Sequence, residues 1–326
     1  GRFVPDHFDL VATVAPVFRT FGDTSCAARS FTYVGQPFWY SVLPQARIEA
    51  KNAGGGITAN YRGNLWKVTS TGISQSYTAS KALDTGLVGP PSVSENGDGT
   101  GTIMAGGADR IAFARDPAAP VAPFQADIRL TWNVQDASEN APGQGIIAAQ
   151  APLVFEGGGA GIAFDAGNEF RYGVLKVSNA HGSELHKLLV PMELRYWTGA
   201  AFAVNAQDSC TRLQPQNVAL SNWQKNLSPC ETSVSIPGAF SGGKSAMQFS
   251  APGAGNNGSV DFTVKLSVSA AGTTCVNGAA APVSGAAQSW LRGQWSGNQY
   301  DQDPTGRATF GVYKGDNPII YLRENY

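Results

Sequence analysis

The run Gly238-Ala-Phe-Ser-Gly-Gly-Lys-Ser245 carries the spacing G-x-x-x-x-G-K-[ST]. In a phosphate-binding loop this spacing works because a strand leads into a Gly-rich turn that opens a helix. The free N–H groups of that turn hold the phosphate, and the Lys and Ser reach it and its metal. Here Ser233–Pro237 can act as the strand. The residues after Ser245 cannot act as the helix, because Pro252, Gly253 and Gly255 break it within two turns. No second acidic strand for a metal is evident. The expectation is a Gly/Ser-rich turn that binds no nucleotide.

Other reactive side chains are sparse. No G-x-S-x-G nucleophile elbow occurs. His7, His181 and His186 are the three imidazoles. His181 and His186 fall in or beside an expected turn, and His7 reads as packed and bonded to a neighbour. Two acidic loops, Glu95–Thr100 and Asp301–Gly306, have turn-forming sequences. Neither supplies more than two carboxylates, whereas calcium wants six to eight oxygens. No catalytic, cofactor-binding or metal-binding residue is therefore expected. Trp290 and Trp295, followed by Tyr300, are the candidate ligand platform, since flat rings suit a sugar face. In a regular strand the odd spacing sends the two indoles to opposite faces, and a bulge at Gly293 would bring them together. The competing role for these rings is to fill or cap a core.

The four cysteines are Cys26, Cys210, Cys230 and Cys275. Without a C-x-x-C pair and with so few histidines, a zinc site is not expected. An even, dispersed set fits two disulfides in an oxidising compartment, with three possible connectivities; the alternative is four buried thiols in a cytosolic protein. A local loop favours Cys210 with Cys230, which leaves Cys26 with Cys275.

What must position these groups is a β framework. Charged residues make up 14 % of the 326, against roughly 25 % in soluble proteins at large, and glycine is abundant at 39. Such a chain favours strands and tight turns over helices. Apolar residues occupy 126, 128, 130, 132 and 134, and again 260, 262, 264, 266 and 268, with polar residues mostly between them. That period of two describes strands with one buried and one wet face, typical of antiparallel sheets. Phe170–Ser178 with Leu185–Trp197, and Ala308–Tyr313 with Ile319–Leu322, read as hairpins. No stretch shows a capped helical periodicity. The expected fold is all-β, with two antiparallel β-sandwich domains: an immunoglobulin-like one over 1–140, a Gly/Ala/Pro-rich connector over 141–168, and a second over 169–326. The net charge of −1 and the lack of a Lys/Arg run argue against nucleic acid as a partner. No apolar run reaches the roughly 18 residues of a membrane-spanning segment. Opening at Gly1, the chain reads as a mature or excised form, with any export signal outside it.

Several fragments together resemble a known family. They are Gly1–Phe8, Phe31–Phe38 close after Cys26, Asn60–Gly63, Phe170–Leu185, Tyr196-Trp197, Asp208–Thr211, Gly306–Gly315 and Ile320–Tyr326. From end to end the chain resembles the C-terminal region of MshQ-like proteins, named for the biogenesis cluster of the mannose-sensitive haemagglutinin type IV pilus of Gram-negative bacteria. The resemblance implies a large exported protein of the cell surface or extracellular space, with pilus or cell-surface proteins, and surface glycans, as partners. It brings no active site. Arg2, Tyr33, Gln36 and Arg307 lie in the matching motifs and are expected to be structural, pairing with strand ends and turn carbonyls.

Overall fold

The computed structural model describes residues 4–21, 26, 29–141 and 145–311. Arg2 lies outside them, and so do the end of the first arm and the whole second arm of the hairpin expected from Ala308–Tyr313 with Ile319–Leu322. Among the described residues there is no α-helix, only strands and five single-turn 3-10 segments. The chain divides into two compact units: residues 1–115 with 123–171, and residues 116–122 with 172–326.

The first unit shows directly how alternation becomes burial. Ala126, Ile128, Leu130, Trp132 and Val134 are all buried, while Arg129 between them is exposed. The strand Arg129–Ala141 pairs antiparallel with Ile73–Thr78 on one side and with Leu153–Phe155 on the other. A four-stranded antiparallel sheet runs His7–Val14, Gln45–Lys51, Thr100–Met104, Ser92–Glu95. Alternation does not foresee the short parallel pairs of Val17–Phe18 with Ala163–Phe164 and of Phe31–Tyr33 with Glu169–Arg171. These pairs surround an aromatic core. Phe38 meets Phe18 at 5.3 Å and Phe170 at 5.3 Å, and Phe113 meets Phe170 edge-on at 4.6 Å. Each such pair adds about 0.5–1.5 kcal/mol beyond its burial.

The stretch 141–168, read from its composition as a connector, instead lies within the first unit and supplies the strands Gly145–Ala148, Leu153–Phe155 and Ala163–Phe164. Its glycines serve close approaches inside the fold: at Gly161 (φ +92°) a Cβ would lie 2.6 Å from the Asp127 backbone. Residues 116–122 pack with the second unit. The carbonyl of Asp116 accepts from the Tyr172 hydroxyl, and that of Pro117 accepts from the Tyr300 N–H.

In the second unit two sheets face each other. One runs Gly173–Val177, Leu188–Trp197, Lys244–Phe249, Val234–Ser235, with Phe202–Val204 also paired to Leu188–Trp197. The other runs Ala180–Gly182, Thr305–Phe310, Gly258–Val264, Val218–Lys225. Phe249 of the first sheet meets Phe262 (5.7 Å) and Phe310 (6.5 Å) of the second, so the inner faces close into a sandwich. Val260, Phe262, Val264 and Leu266 are fully buried, as the alternation predicts. Val268 is not, at 82 % exposed. The strand ends at Val264, and a turn in which the Ser267 hydroxyl bonds to the Ser269 carbonyl swings Val268 into solvent.

All four cysteines are oxidised, but the expected pairing is wrong. Cys230 bonds to Cys275, across 45 residues of sequence, which rules out both Cys210–Cys230 and Cys26–Cys275. Cys275 sits in the hairpin Thr273–Val276/Ala279–Pro282. The tip of that hairpin is held by a bond from the Gly278 N–H to the Ser233 hydroxyl, which carries Cys275 to Cys230. Cys210 is turned elsewhere by Asp208, whose carboxylate accepts from the N–H groups of Cys210 and Thr211.

Candidate functional site

The P-loop-like run is a hairpin turn. Ser241 and Lys244 exchange backbone hydrogen bonds around Gly242 (φ +56°) and Gly243 (φ +74°), and Lys244 opens the strand Lys244–Phe249. Two consecutive positive φ values select Gly-Gly here. At Gly243 a Cβ would also lie 2.4 Å from the Asn205 carbonyl. The glycines serve the turn, and no helix N-terminus faces Lys244.

The other reactive candidates are absorbed by local bonding. In Glu95–Thr100 the Asp98 carboxylate accepts from the Thr100 N–H and hydroxyl, and the hydroxyl bond holds its pKa below the usual carboxylate value. Asp303 accepts from Arg292 Nε and the Leu266 N–H. His7 Nδ1 lies 2.9 Å from Asp6, and His181 donates from Nε2 to the Gly311 carbonyl. Gln36 bridges a turn, its Oε1 accepting from the Tyr33 N–H and its Nε2 donating to the Phe21 carbonyl.

A cleft of about 680 Å³ lies against the wet face of the second unit's sheet that contains Gly258–Val264 and Thr305–Phe310. The pleat builds it. Phe262 and its register partner Gly306 turn inward, where a Cβ on Gly306 would meet the Phe262 ring at 2.5 Å. Their neighbours Asp261 and Arg307 are therefore partners on the opposite face. Ser221 pairs with Asp261 from the next strand, so Ser221, Asp261 and Arg307 form one row across three strands. Thr263 and Thr305 form the adjacent row, and Asn179 closes one side, its Oδ1 accepting from the Arg307 N–H.

Arg307 and Asp261 meet side-on, with Nε to Oδ1 at 2.6 Å and Nη2 to Oδ2 at 3.2 Å. Asn222 donates to the same Oδ2 at 2.7 Å. It reaches there because the strand bulges between Ser221 and Gln224, with Asn222 at φ +53°, a conformation asparagine tolerates. The Arg307 bond foremost, and Asn222 with it, hold the Asp261 carboxyl below its ordinary pKa. One anion and one cation thus balance within the lining.

Of the three platform aromatics, Trp295 alone lines this cleft. Residues 290–300 do not form one strand. Trp290 lies in the 3-10 turn Ser289–Leu291, and Tyr300 packs on Tyr172 (5.9 Å) and Phe202 (5.4 Å). The loop holding Trp295 is gathered by Gln302, whose Oε1 accepts from the N–H groups of Trp295, Ser296 and Gly297. Sequence reasoning placed Asp261 only on a wet strand face and Arg307 only among structural residues. The missing information is the register that sets them opposite each other.

No helix is long and apolar enough to cross a membrane, and no three His, Cys, Asp or Glu side chains gather to hold a metal, among the described residues. No curated protein matches the sequence. Among solved structures, the adhesin InvE of Yersinia pseudotuberculosis aligns with 94 % of this chain and 59 % of its own, at 10 % identity and a TM-score of 0.23. The chain thus spans less than two thirds of that structure's length. Residues 1–152 match the third domain of DUF6701 and residues 171–325 the fourth. The chain belongs to the DUF6701 family and carries its third and fourth domains in tandem.

Proposed function

We propose that the chain is part of an exported, non-enzymatic protein of the cell surface, with a structural or adhesive role in a type IV pilus system of the kind the MshQ-like resemblance implies. The observation that carries this reading is the oxidation of all four cysteines in a chain whose regular elements are nearly all strands. Disulfides persist outside the reducing cytosol, and stiff strand-built units keep loops in fixed positions for contact with partners. A strain lacking the protein should lose surface attachment or pilus assembly. Normal pili and normal attachment in that strain would reject the reading.

A second reading, carbohydrate binding, is favoured by the cleft beside Trp295. An indole lining the same cleft as a row of Ser, Asp and Arg side chains offers an apolar wall and paired acceptors and donors, the chemistry that grips a sugar ring. The Asp261–Arg307 balance fits a neutral ring. A neutral-glycan array that is bound by the protein and lost on Trp295→Ala supports it; binding unchanged by that substitution refutes it.

A further inference from the structure

The first unit holds a second cleft, of about 290 Å³, whose lining includes Arg19, Pro37, Trp39, Tyr40, Leu43 and Arg110. Its construction follows from the aromatic core. Arg19 directly follows the strand Val17–Phe18, which pairs with Tyr40–Val42, and the Phe18 ring stacks on Tyr40 at 4.4 Å. The Arg19 N–H donates to the Trp39 carbonyl, and Trp39 Nε1 donates to the Gly106 carbonyl at 2.6 Å. That last bond draws the turn before Arg110 against the aromatic strand, so residues far apart in sequence share one wall.

The charges of this cleft are not balanced. Arg19 makes no side-chain hydrogen bond and no ion pair among the described residues, and its Nε is shut off from solvent without an acceptor. Arg110 bonds only to the carbonyls of Gly107 and Asp109. No carboxylate stands in the lining. Asp109 is outside the lining, its carboxylate beside Gly106 and its Oδ2 enclosed without a donor, and its single charge offsets one of the two at most. Guanidinium groups keep their charge at every physiological pH, and leaving one partly enclosed without a partner costs folding free energy. The Nη groups of Arg19 are not among its enclosed atoms, so a ligand oxygen can reach them and offset the charge.

We propose that this cleft binds the carboxylate of an acidic sugar. The arginine fork matches a planar carboxylate in two-point contact. The pocket is at the small end of ligand sites, the size of one ring. Pro37 and Leu43 add apolar wall that an inorganic ion would leave uncovered. The inference concerns the purified protein's chemistry and stands or falls separately from the surface role proposed above.

The test is an NMR titration of the whole chain with glucuronate, glucose and inorganic sulfate, following the Arg19 Nε–H signal and, in the Arg19 variants, the Trp39 Nε1–H signal of the same lining. Glucuronate should shift the Arg19 signal, with affinity falling as salt rises, while glucose leaves it in place and sulfate acts more weakly. Arg19→Gln and Arg110→Gln should each weaken glucuronate about tenfold or more, and Arg19→Lys should lie between wild type and Arg19→Gln. Thermal melts and an unchanged signal from Trp132 Nε1–H, which bonds to Gln75 in the core of the same unit, establish that the variants fold. The proposal is overturned if glucuronate gives no shift up to about 50 mM, beyond the millimolar range of a weak carboxylate site. It is equally overturned if glucose or sulfate matches glucuronate, or if Arg19→Gln binds as wild type.

Discussion

The two clefts are made from similar materials and differ in how their charge is settled. In the second unit the arginine faces an aspartate directly across a strand pair, and an asparagine braces the carboxylate. In the first unit both arginines come from segments beside an aromatic core, where the lining holds rings and aliphatic walls in place of acids. A strand pair can set an acid opposite a base on its wet face at little cost, because register alone aligns them. An aromatic corner offers no such partner. The sheet that pairs Asp261 with Arg307 therefore presents a self-satisfied polar surface, whereas the corner presents an unmet demand for an anion.

The largest effect expected on this contrast comes from removing what lies beneath one side of it. Phe262→Ala takes away the ring that covers Gly306 and meets Phe249, and should cost about 3–5 kcal/mol in urea unfolding and abolish the Trp295 cleft. Breaking Cys230–Cys275 by a double Cys→Ala change should cost about 2–4 kcal/mol by the same measurement, given the 45 residues it spans. Asp261→Asn sharpens the comparison instead. It replaces the carboxylate that Arg307 and Asn222 hold with a neutral amide, so the shift of the Trp295 signal by a neutral sugar should weaken. Its stability cost should be about 1 kcal/mol or less, since both side chains are partly exposed.

Acid should act on the same pair. The Asp261 pKa is depressed in the folded protein, so its contribution is present above the unfolded value near 3.9 and disappears as pH falls through the folded pKa. The stability gap between wild type and Asp261→Asn should stay constant from neutral pH down to about pH 5 and close below the unfolded value. A gap that opened on acidification would contradict the assignment. The smallest effect is a null result: Trp290→Ala should leave the Trp295 cleft's ligand behaviour unchanged, because Trp290 sits in a separate turn outside its lining.

Much of the framework could be read from the sequence, because alternation is a local signal. The inward set from Ala126 to Val134 and that from Val260 to Leu266 are buried as their spacing requires. The rejection of the Gly238–Ser245 run as a phosphate loop was equally local, since Pro and Gly downstream forbid the helix. What failed was non-local. The connector reading of 141–168 took glycine content for looseness, although those glycines permit tight packing. The disulfide expectation used sequence distance, while a hairpin tip bonded to Ser233 decided which thiols met. Neither cleft could be found in advance. One depends on the pairing of Asp261 with Arg307, the other on a tryptophan–carbonyl bond that draws Arg110 toward Arg19.

The most direct trial is a single labelled sample titrated with glucuronate and, separately, with glucose, galactose, mannose and N-acetylglucosamine, reading the Arg19 Nε–H and Trp295 Nε1–H signals together. The account expects the acid to move the arginine signal alone and a neutral sugar to move the indole signal alone. One ligand moving both signals alike, or the acid moving only the indole, would contradict it.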